Sequence, residues 1–412
     1  MDDMFPPEIQ AIRDSVNRFM ETEVAPVIED LERSGTFPRE LIKKAGAMGF
    51  FGSVFPESVG GTGVGYLAAA VVTEEMARND VRFAACVNQQ ASLTPYCIYS
   101  AGTVEQVMEY VPKLLSGENI GMMSLTEPGG GSDALGAMRT TAKRDGDVYK
   151  LNGSKIFASL ANECDSGILL AKTDPDAGAK GVTAFIVEPK KYPGFEARPI
   201  DMLGLSKSIR TNAVFMDDFI VPVENRLGEE GDGFKIIMRA LQSGRIAVAA
   251  KALGVAQAAY GDAVRYANER ELRGRPIGKF QMVQSDIADM AVAIEASRAL
   301  VYQTAQRMDA DLPTNRMASL AKYHASSTSK LCTDKAQQIF GGYGLACEYR
   351  VSWLKSYADL HFTGEGTANV QKILIAEDAL GYKVADRHHG HTGLRDPRKD
   401  DIADELTPSA AE

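Results

Sequence analysis

One carboxylate in this chain is set for proton transfer: Glu365, between Gly364 and Gly366 and followed by Thr367 and the apolar-periodic run 370–376. Two glycines around a glutamate cost chain entropy on folding and bury nothing, but they let another molecule approach the backbone closely. Presented at a helix N-terminus, such a carboxylate suits a general base. The competing structural reading is local: Glu365 complements a helix dipole and Thr367 caps the helix. Upstream, Gly341-Gly342-Tyr343-Gly344 forms a glycine turn, so residues 339–371 carry the densest set of special positions.

Other stretches offer ligand chemistry. Residues 126–132, Thr-Glu-Pro-Gly-Gly-Gly-Ser, make a turn whose N–H groups and hydroxyls suit an anion or a polar ring edge, or simply lead into a strand. Arg270 and Arg273 lie just after a helical run, where a guanidinium fork suits a pyrophosphate or stays solvated. The glycine-rich stretch 56–63 fails the dinucleotide spacing, and no strand precedes it. His388, His389 and His391 lack the helix spacing of a metal site and read as solvated tail residues.

The elements that must position these groups follow from periodicity. Ile9, Ile12, Val16, Phe19 and Val24, then Leu41, Ala45 and Met48, recur at helical spacing, and helices resume over 66–78, 87–100 and 104–115. Short β-type runs occupy 121–222, with strands expected at 168–171, 182–187 and 212–221 and a hairpin turn at Asn152-Gly153 within 148–157. From Gly233 a stripe of Ile246, Ala249, Leu253, Ala256, Tyr260 and Val264 predicts one long helix, and 286–308 and 317–340 two more. A last helix is expected over 367–384. The fold class is mostly α with a central β domain: an N-terminal helical domain (1–120), a small β-barrel or sandwich domain (121–232), a C-terminal four-helix bundle (233–386) and a polar tail (387–412). The tail is expected to be mobile or to cover a neighbouring subunit.

A net charge of −10 and a pI near 5.2 argue against a nucleic-acid partner. Five scattered cysteines, Cys86, Cys97, Cys164, Cys332 and Cys347, suit a reducing, cytoplasmic setting and supply no metal framework. The acidic first residues do not read as a signal peptide, and no run of 18 apolar residues exists to span a membrane.

Six strings in order, LTEPGGGSD (125–133), NGSKIFASLAN (152–162), SGRIAVAAKALGVAQAA (243–259), ERELRGRPIGKFQMVQ (269–284), QQIFGGYG (337–344) and EGTANVQK (365–372), closely resemble the acyl-CoA dehydrogenase family. The resemblance runs from about residue 5 to residue 385. It implies FAD as cofactor, an acyl-CoA substrate, an electron-transferring flavoprotein as partner and a homotetramer. It implies that Glu365 takes the α-proton of the acyl thioester while the β-hydrogen leaves as hydride to flavin N5. Leu125, Thr126, Gly131, Ser132, Phe157, Ser159, Thr367 and Asn369 match flavin-contacting positions. Arg270, Gln281, Gln338, Gly341 and Gly342 match those holding the pyrophosphate and adenosine across a subunit boundary. Ser132, Phe234, Arg245, Gly364 and Gly366 match substrate positions.

Departures matter. Phe157 and Ser159 stand where the family has Trp and Thr, and Phe157 by itself reads equally as a core aromatic. Arg273 replaces a Phe, and Gln242 replaces an Asp. One branch carries its base where this chain has Gly244, so no second carboxylate competes with Glu365. Gly364 replaces a Tyr common beside the substrate, which implies either room for a branched, cyclic or aryl-bearing acyl group or backbone flexibility only. Dehydrogenation of a dicarboxylyl-CoA is the alternative, with Arg82, Lys207, Arg210 and Arg273 as candidate partners for a second carboxylate. The family's dicarboxylate-binding arginine string is not reproduced at 84–93. An acyl-CoA oxidase, an enoyl-CoA reductase and a non-catalytic flavin-binding module are the other readings.

Overall fold

The computed structural model describes residues 5–382 and 393–406. The N-terminal helices are α1 (Pro7–Phe19), α2 (Ile28–Ser34), α3 (Arg39–Ala47), α4 (Tyr66–Ala84), α5 (Thr94–Ala101) and α6 (Val104–Leu115). The strands are β1 (Gly121–Ser124), β2 (Thr141–Asp145), β3 (Val148–Ser159), β4 (Ser166–Lys172), β5 (Val182–Val187), β6 (Phe195–Pro199), β7 (Thr211–Pro222) and β8 (Arg226–Leu227). Then come α7 (Gly233–Glu269), a ribbon of β9 (Glu271–Leu272) and β10 (Arg275–Pro276), α8 (Gln281–Asp309), α9 (Asn315–Phe340), α10 (Val351–Thr363), α11 (Ala368–Ala379) and α12 (Asp401–Leu406). None of the described helices is long and apolar enough to cross a membrane.

The expected order of helices, sheet and helices is what the chain adopts. The sheet runs β6-β7-β3-β2-β4-β5-β8, with β1 parallel to β4. It has its own apolar core of Tyr149, Leu151, Phe185, Phe219 and Val221. The N-terminal helices and the C-terminal bundle share a second core. There α7 lies against α4 so closely that a Cβ on Gly254 would meet the Glu74 carbonyl oxygen at 2.4 Å. The alanine-rich stripe of α7 permits this approach.

Two local expectations are corrected, the Asn152-Gly153 turn and the end of the last helix, and two features are new, a break in α4 and an added helix. Asn152-Gly153 is not a hairpin turn: β3 runs straight through it, and the hairpin closes at Gly146, where Asp145 pairs with Val148. Gly153 sits at φ 145° beside a register shift, pressed against Thr140, while Asn152 exchanges hydrogen bonds with Asp218 of β7 (2.8 and 2.9 Å). The pair makes a bulge because a neighbouring strand supplies the partner. Helix α4 breaks at Asp80 (φ −151°), whose carboxylate accepts from Arg82 N at 2.9 Å. The last bundle helix ends at Ala379, before Gly381 at φ 72°. Between the glycine turn and Glu365 an unpredicted helix, α10, intervenes.

The tail was expected to be mobile or to cover a neighbour. Its described part, 393–406, packs on its own chain. Arg395 N donates to Ser100 O (2.9 Å), Tyr99 Oη to Lys399 O (2.7 Å) and Arg398 Nη2 to Asp311 Oδ1 (2.6 Å), and Ile402 is buried. His388, His389 and His391 lie outside the described residues.

Candidate active site

Helix α10 stops at Gly364, and the chain turns through Glu365 at φ 51° and Gly366 at φ 87° before α11 starts. A left-handed glutamate costs on the order of 1–3 kcal/mol and persists only where its surroundings hold it. Here Lys322 of α9 donates to Gly366 O at 2.7 Å and Gln371 of α11 to the same oxygen at 3.1 Å. The Thr367 hydroxyl accepts from Val370 N at 3.2 Å and is the helix cap. Glu365 is therefore free of capping. Its Oε1 accepts from Asn88 Nδ2, and its Oε2 is buried with no partner. The facing surface is Gly244 of α7, where a Cβ would lie 2.7 Å from Oε2.

Burial pushes the Glu365 carboxyl above the ordinary range; the Lys251 ammonium, the Asn88 hydrogen bond, Lys322 and Arg245 pull the other way. Burial brings Lys322 down to about 8 and lowers Lys251, although Glu365 opposes both shifts. Burial, helped by Lys251 and Lys322, holds His361 neutral. Besides Glu365 Oε2, the buried atoms Asn88 Oδ1, Arg245 Nε, His361 Nδ1, Gln371 Oε1 and Gln242 Oε1 have no hydrogen-bond partner. Native interiors rarely leave such groups unpaired, so a cluster of them marks a place completed by a ligand. Next to it a cavity of about 20 Å³ is lined by Val87, Ala91, Ser92, Ser243 and Ala247.

A second constellation lies on the sheet. Ile156 N of β3 donates to Thr126 O (2.9 Å), tying the glycine-rich loop to that strand. Beneath it, Lys155 donates to Glu127 Oε1 (2.8 Å) and Leu125 O (3.2 Å), and Glu127 also accepts from Arg139 N (2.6 Å) and Thr140 N (3.0 Å). Burial alone would raise the Glu127 carboxyl, but Lys155 and the hydrogen bonds outweigh it and hold it low. Burial brings Lys155 down to about 8, so the pair stays ionised near neutrality. Two residues beyond Lys155, at a register shift between Lys155 and Ala158, Phe157 sits at φ 60° and is 55% exposed. Phe157 is therefore not a core aromatic. A bulky residue in this conformation is a strained presentation. With Ser159 half-buried two residues on and Ser132 exposed on the glycine-rich loop, the chain offers an aromatic face and polar edge groups, as a flat cofactor ring requires.

A third set gathers at the end of α7. Arg270, Tyr266, Phe340, Tyr343 and Tyr349 line an open groove of about 260 Å³, with the Arg270 guanidinium 6.0 Å from the Tyr343 ring centre. Gln281 and Gln338 are exposed, and added Cβ atoms on Gly341 and Gly342 would meet nothing within 4 Å. Along α7, Arg270 stands ~39 Å from Gly244 at 1.5 Å per residue. One protomer thus does not bring the arginine groove and Glu365 to the same end of a cofactor. Phe234 is half-buried on the first turn of α7, and Asn369 is exposed.

Sequence reasoning missed Asn88, Lys251, Lys322 and His361. Lys251 carried a signal, a lone lysine within an apolar helix stripe; the other three carried none. The four arginine and lysine candidates for a second carboxylate do not face Glu365. Arg82 is paired with Asp80 (2.6 Å) and Glu29 (2.5 Å) and lies over Trp353, Arg210 donates to Lys207 O, and Lys207 and Arg273 are exposed.

Comparison with known proteins matches the three-part fold over most of the chain. Residues 6–118, 122–219 and 231–380 match the family models for the N-terminal, middle and C-terminal domains of acyl-CoA dehydrogenase. The glutaryl-CoA dehydrogenase of Desulfococcus multivorans is 39% identical over 94% of this chain and 100% of its own length. A subunit of the caffeyl-CoA reductase–Etf complex of Acetobacterium woodii is 38% identical over 90% of this chain and 98% of its own. The structure of a glutaryl-coenzyme A dehydrogenase in complex with glutaryl-CoA superposes with a TM-score of 0.89, at 38% identity, covering 93% of this chain and 98% of that one.

Proposed function

Because the chain belongs to the acyl-CoA dehydrogenase family, FAD-dependent oxidoreductases acting on CH–CH bonds, we propose that it introduces a Cα–Cβ double bond into an acyl-CoA thioester, with Glu365 as base. The observation that carries this reading is the Glu365 carboxylate, buried, without a partner on Oε2, and aimed at the side-chain-free face of Gly244. A thioester α-C–H is a weak acid, so a base of ordinary carboxylate strength is poorly matched to it. Burial raises Glu365 and improves the match. The Asn88 amide and the clamp on Gly366 from Lys322 and Gln371 hold the carboxylate in one orientation, which limits the reorganisation needed at proton transfer. The Glu365 N–H at this turn serves as a donor toward the thioester oxygen as enolate charge develops.

Phe157, Ser159, Leu125, Thr126, Gly131 and Ser132 present the surface that would hold the flavin ring, Thr367 and Asn369 flank it, and Arg270, Gln281, Gln338, Gly341 and Gly342 would hold its pyrophosphate and adenosine end. When bound, FAD supplies the two-electron acceptor for the hydrogen leaving Cβ. Since Arg270 lies ~39 Å along α7 from Gly244, which faces Glu365, each cofactor would be shared between protomers, and the chain would work as a homo-oligomer, a tetramer by family resemblance. Ser132, Phe234, Arg245, Gly364 and Gly366 would line the substrate path. Gly364 leaves space for a branched, cyclic or aryl-bearing acyl group. An electron-transferring flavoprotein would reoxidise the cofactor; the relative drawn from an Etf complex supports this partner.

The test is the Glu365→Gln holoenzyme. It should keep its yellow FAD and fail to bleach with any acyl-CoA that bleaches the parent; normal bleaching would remove Glu365 from the chemistry.

A further inference from the structure

We propose that the acyl group carries a second carboxylate and that Lys251 receives it. This rests on the dehydrogenase reading above and names the substrate class of the same site: CoA monothioesters of dicarboxylic acids of succinyl or glutaryl length, with or without a substituent.

The site's charges do not balance. Glu365 is surrounded by Arg245, Lys251 and Lys322, one carboxylate against three cations. Lys322 has a structural task, its bond to Gly366 O. Lys251 has none: among the described residues its ammonium makes no hydrogen bond and no ion pair, although the side chain is buried at 7% exposure. It sits in a helix segment whose neighbours Val248, Ala249, Ala250 and Ala252 are buried and apolar. A lone ammonium in such a place is costly, and an anionic ligand offsets that cost.

Its position suits a substrate group. Lys251 follows Gly244 by seven residues, two turns of α7, so both lie on one face ~10 Å apart. The Lys251 charge acts on Glu365, Cys86 and His361, and the four therefore share one region of the interior. With Cα held at Glu365, a short acyl chain running along this face ends near the lysine. His361 Nδ1, buried and unpartnered, offers a second contact there. The residues that sequence alone put forward for this task are paired elsewhere or exposed, which leaves Lys251 and Arg245, whose Nε is also unpartnered, as the uncommitted cations; of the two, only Lys251 lies two turns along the face of Gly244.

The experiment compares glutaryl-CoA and succinyl-CoA with valeryl-CoA and butyryl-CoA on the holoenzyme, and on Lys251→Met and Lys251→Arg, by flavin bleaching and steady-state kcat/KM. The parent should favour at least one dicarboxylyl thioester over its neutral counterpart by about 100-fold. Lys251→Met should erase that preference by raising KM for the dicarboxylyl substrate, whereas its effect on Glu365 changes kcat for dicarboxylyl and neutral thioesters alike; Lys251→Arg should retain most of the preference. Calorimetry on Glu365→Gln holoenzyme should show the same preference in binding without turnover. A parent that treats neutral and dicarboxylyl thioesters alike overturns the proposal, and so does a preference that survives Lys251→Met. If Lys251→Met loses its flavin, the parent's preference and the loss of preference in Lys251→Gln decide. Bleaching by neutral thioesters alone would leave the dehydrogenase reading standing, whereas an FAD-loaded protein that no CoA thioester bleaches would remove that reading itself.

Discussion

Gly244 and Glu365, from helix α7 and from the turn before α11, occupy one space: a methyl group on the glycine would stand 2.7 Å from the carboxylate's unpartnered oxygen. The glycine is what allows the base to point where it does. Gly244→Ala should displace the carboxylate and lower kcat by about 100-fold, the usual cost of misplacing a reacting group by an ångström. FAD content should stay normal, as absorbance at the flavin bands will show. Because the two positions converge, Gly244→Glu in a Glu365→Gly background should regain at least about 10-fold of the activity lost in Glu365→Gly alone.

The acid limb of the kcat profile should lie above the ordinary carboxylate range. Activity needs the ionised base, burial raises its pKa, and so the rate should rise with pH through that elevated value. Lys251 is the strongest influence opposing burial. Lys251→Met should therefore move the acid limb to still higher pH, measured with a neutral acyl-CoA. A limb that stays put would show that Lys251 does not act on Glu365.

The buried Lys155–Glu127 pair beneath the glycine-rich loop should be a structural weak point. Lys155→Met leaves Glu127 buried with only its backbone donors, and should cost about 3–5 kcal/mol in denaturant unfolding. Replacing both members with Met and Leu should be milder than removing Lys155 alone.

Phe157 separates stability from cofactor binding. Its side chain is 55% exposed, so Phe157→Ala should change unfolding free energy by no more than about 0.5 kcal/mol. If it lies against the flavin, the same change should weaken FAD retention by roughly 1 kcal/mol, about 5-fold, in dialysis against apoprotein.

Much of the architecture was legible because its signals are local. Helix α6 is bounded by Val104 and Leu115 as periodicity predicts, since Thr103 and Gln106 close a capping box on each other. Strand β5 and the start of α7 at Gly233 are equally self-declaring. Where a signal needed a distant partner it misled. Asn152-Gly153 has the composition of a hairpin turn, yet Asp218 of β7 and Thr140 draw it into a bulged strand.

The same division holds at the site. The amino-acid sequence by itself determined that Glu365 stands in a flexible turn before a capped helix, because turn chemistry and capping operate over three or four residues. Only the tertiary structure decided that Asn88, Gly244, Lys251, Lys322 and His361 surround it. Those five residues come from four helical segments, and helical periodicity records which face of each is apolar but not which faces meet. The burial that raises Glu365 and the lysine left without a partner are products of that meeting, a property of packed helices rather than of any stretch of chain.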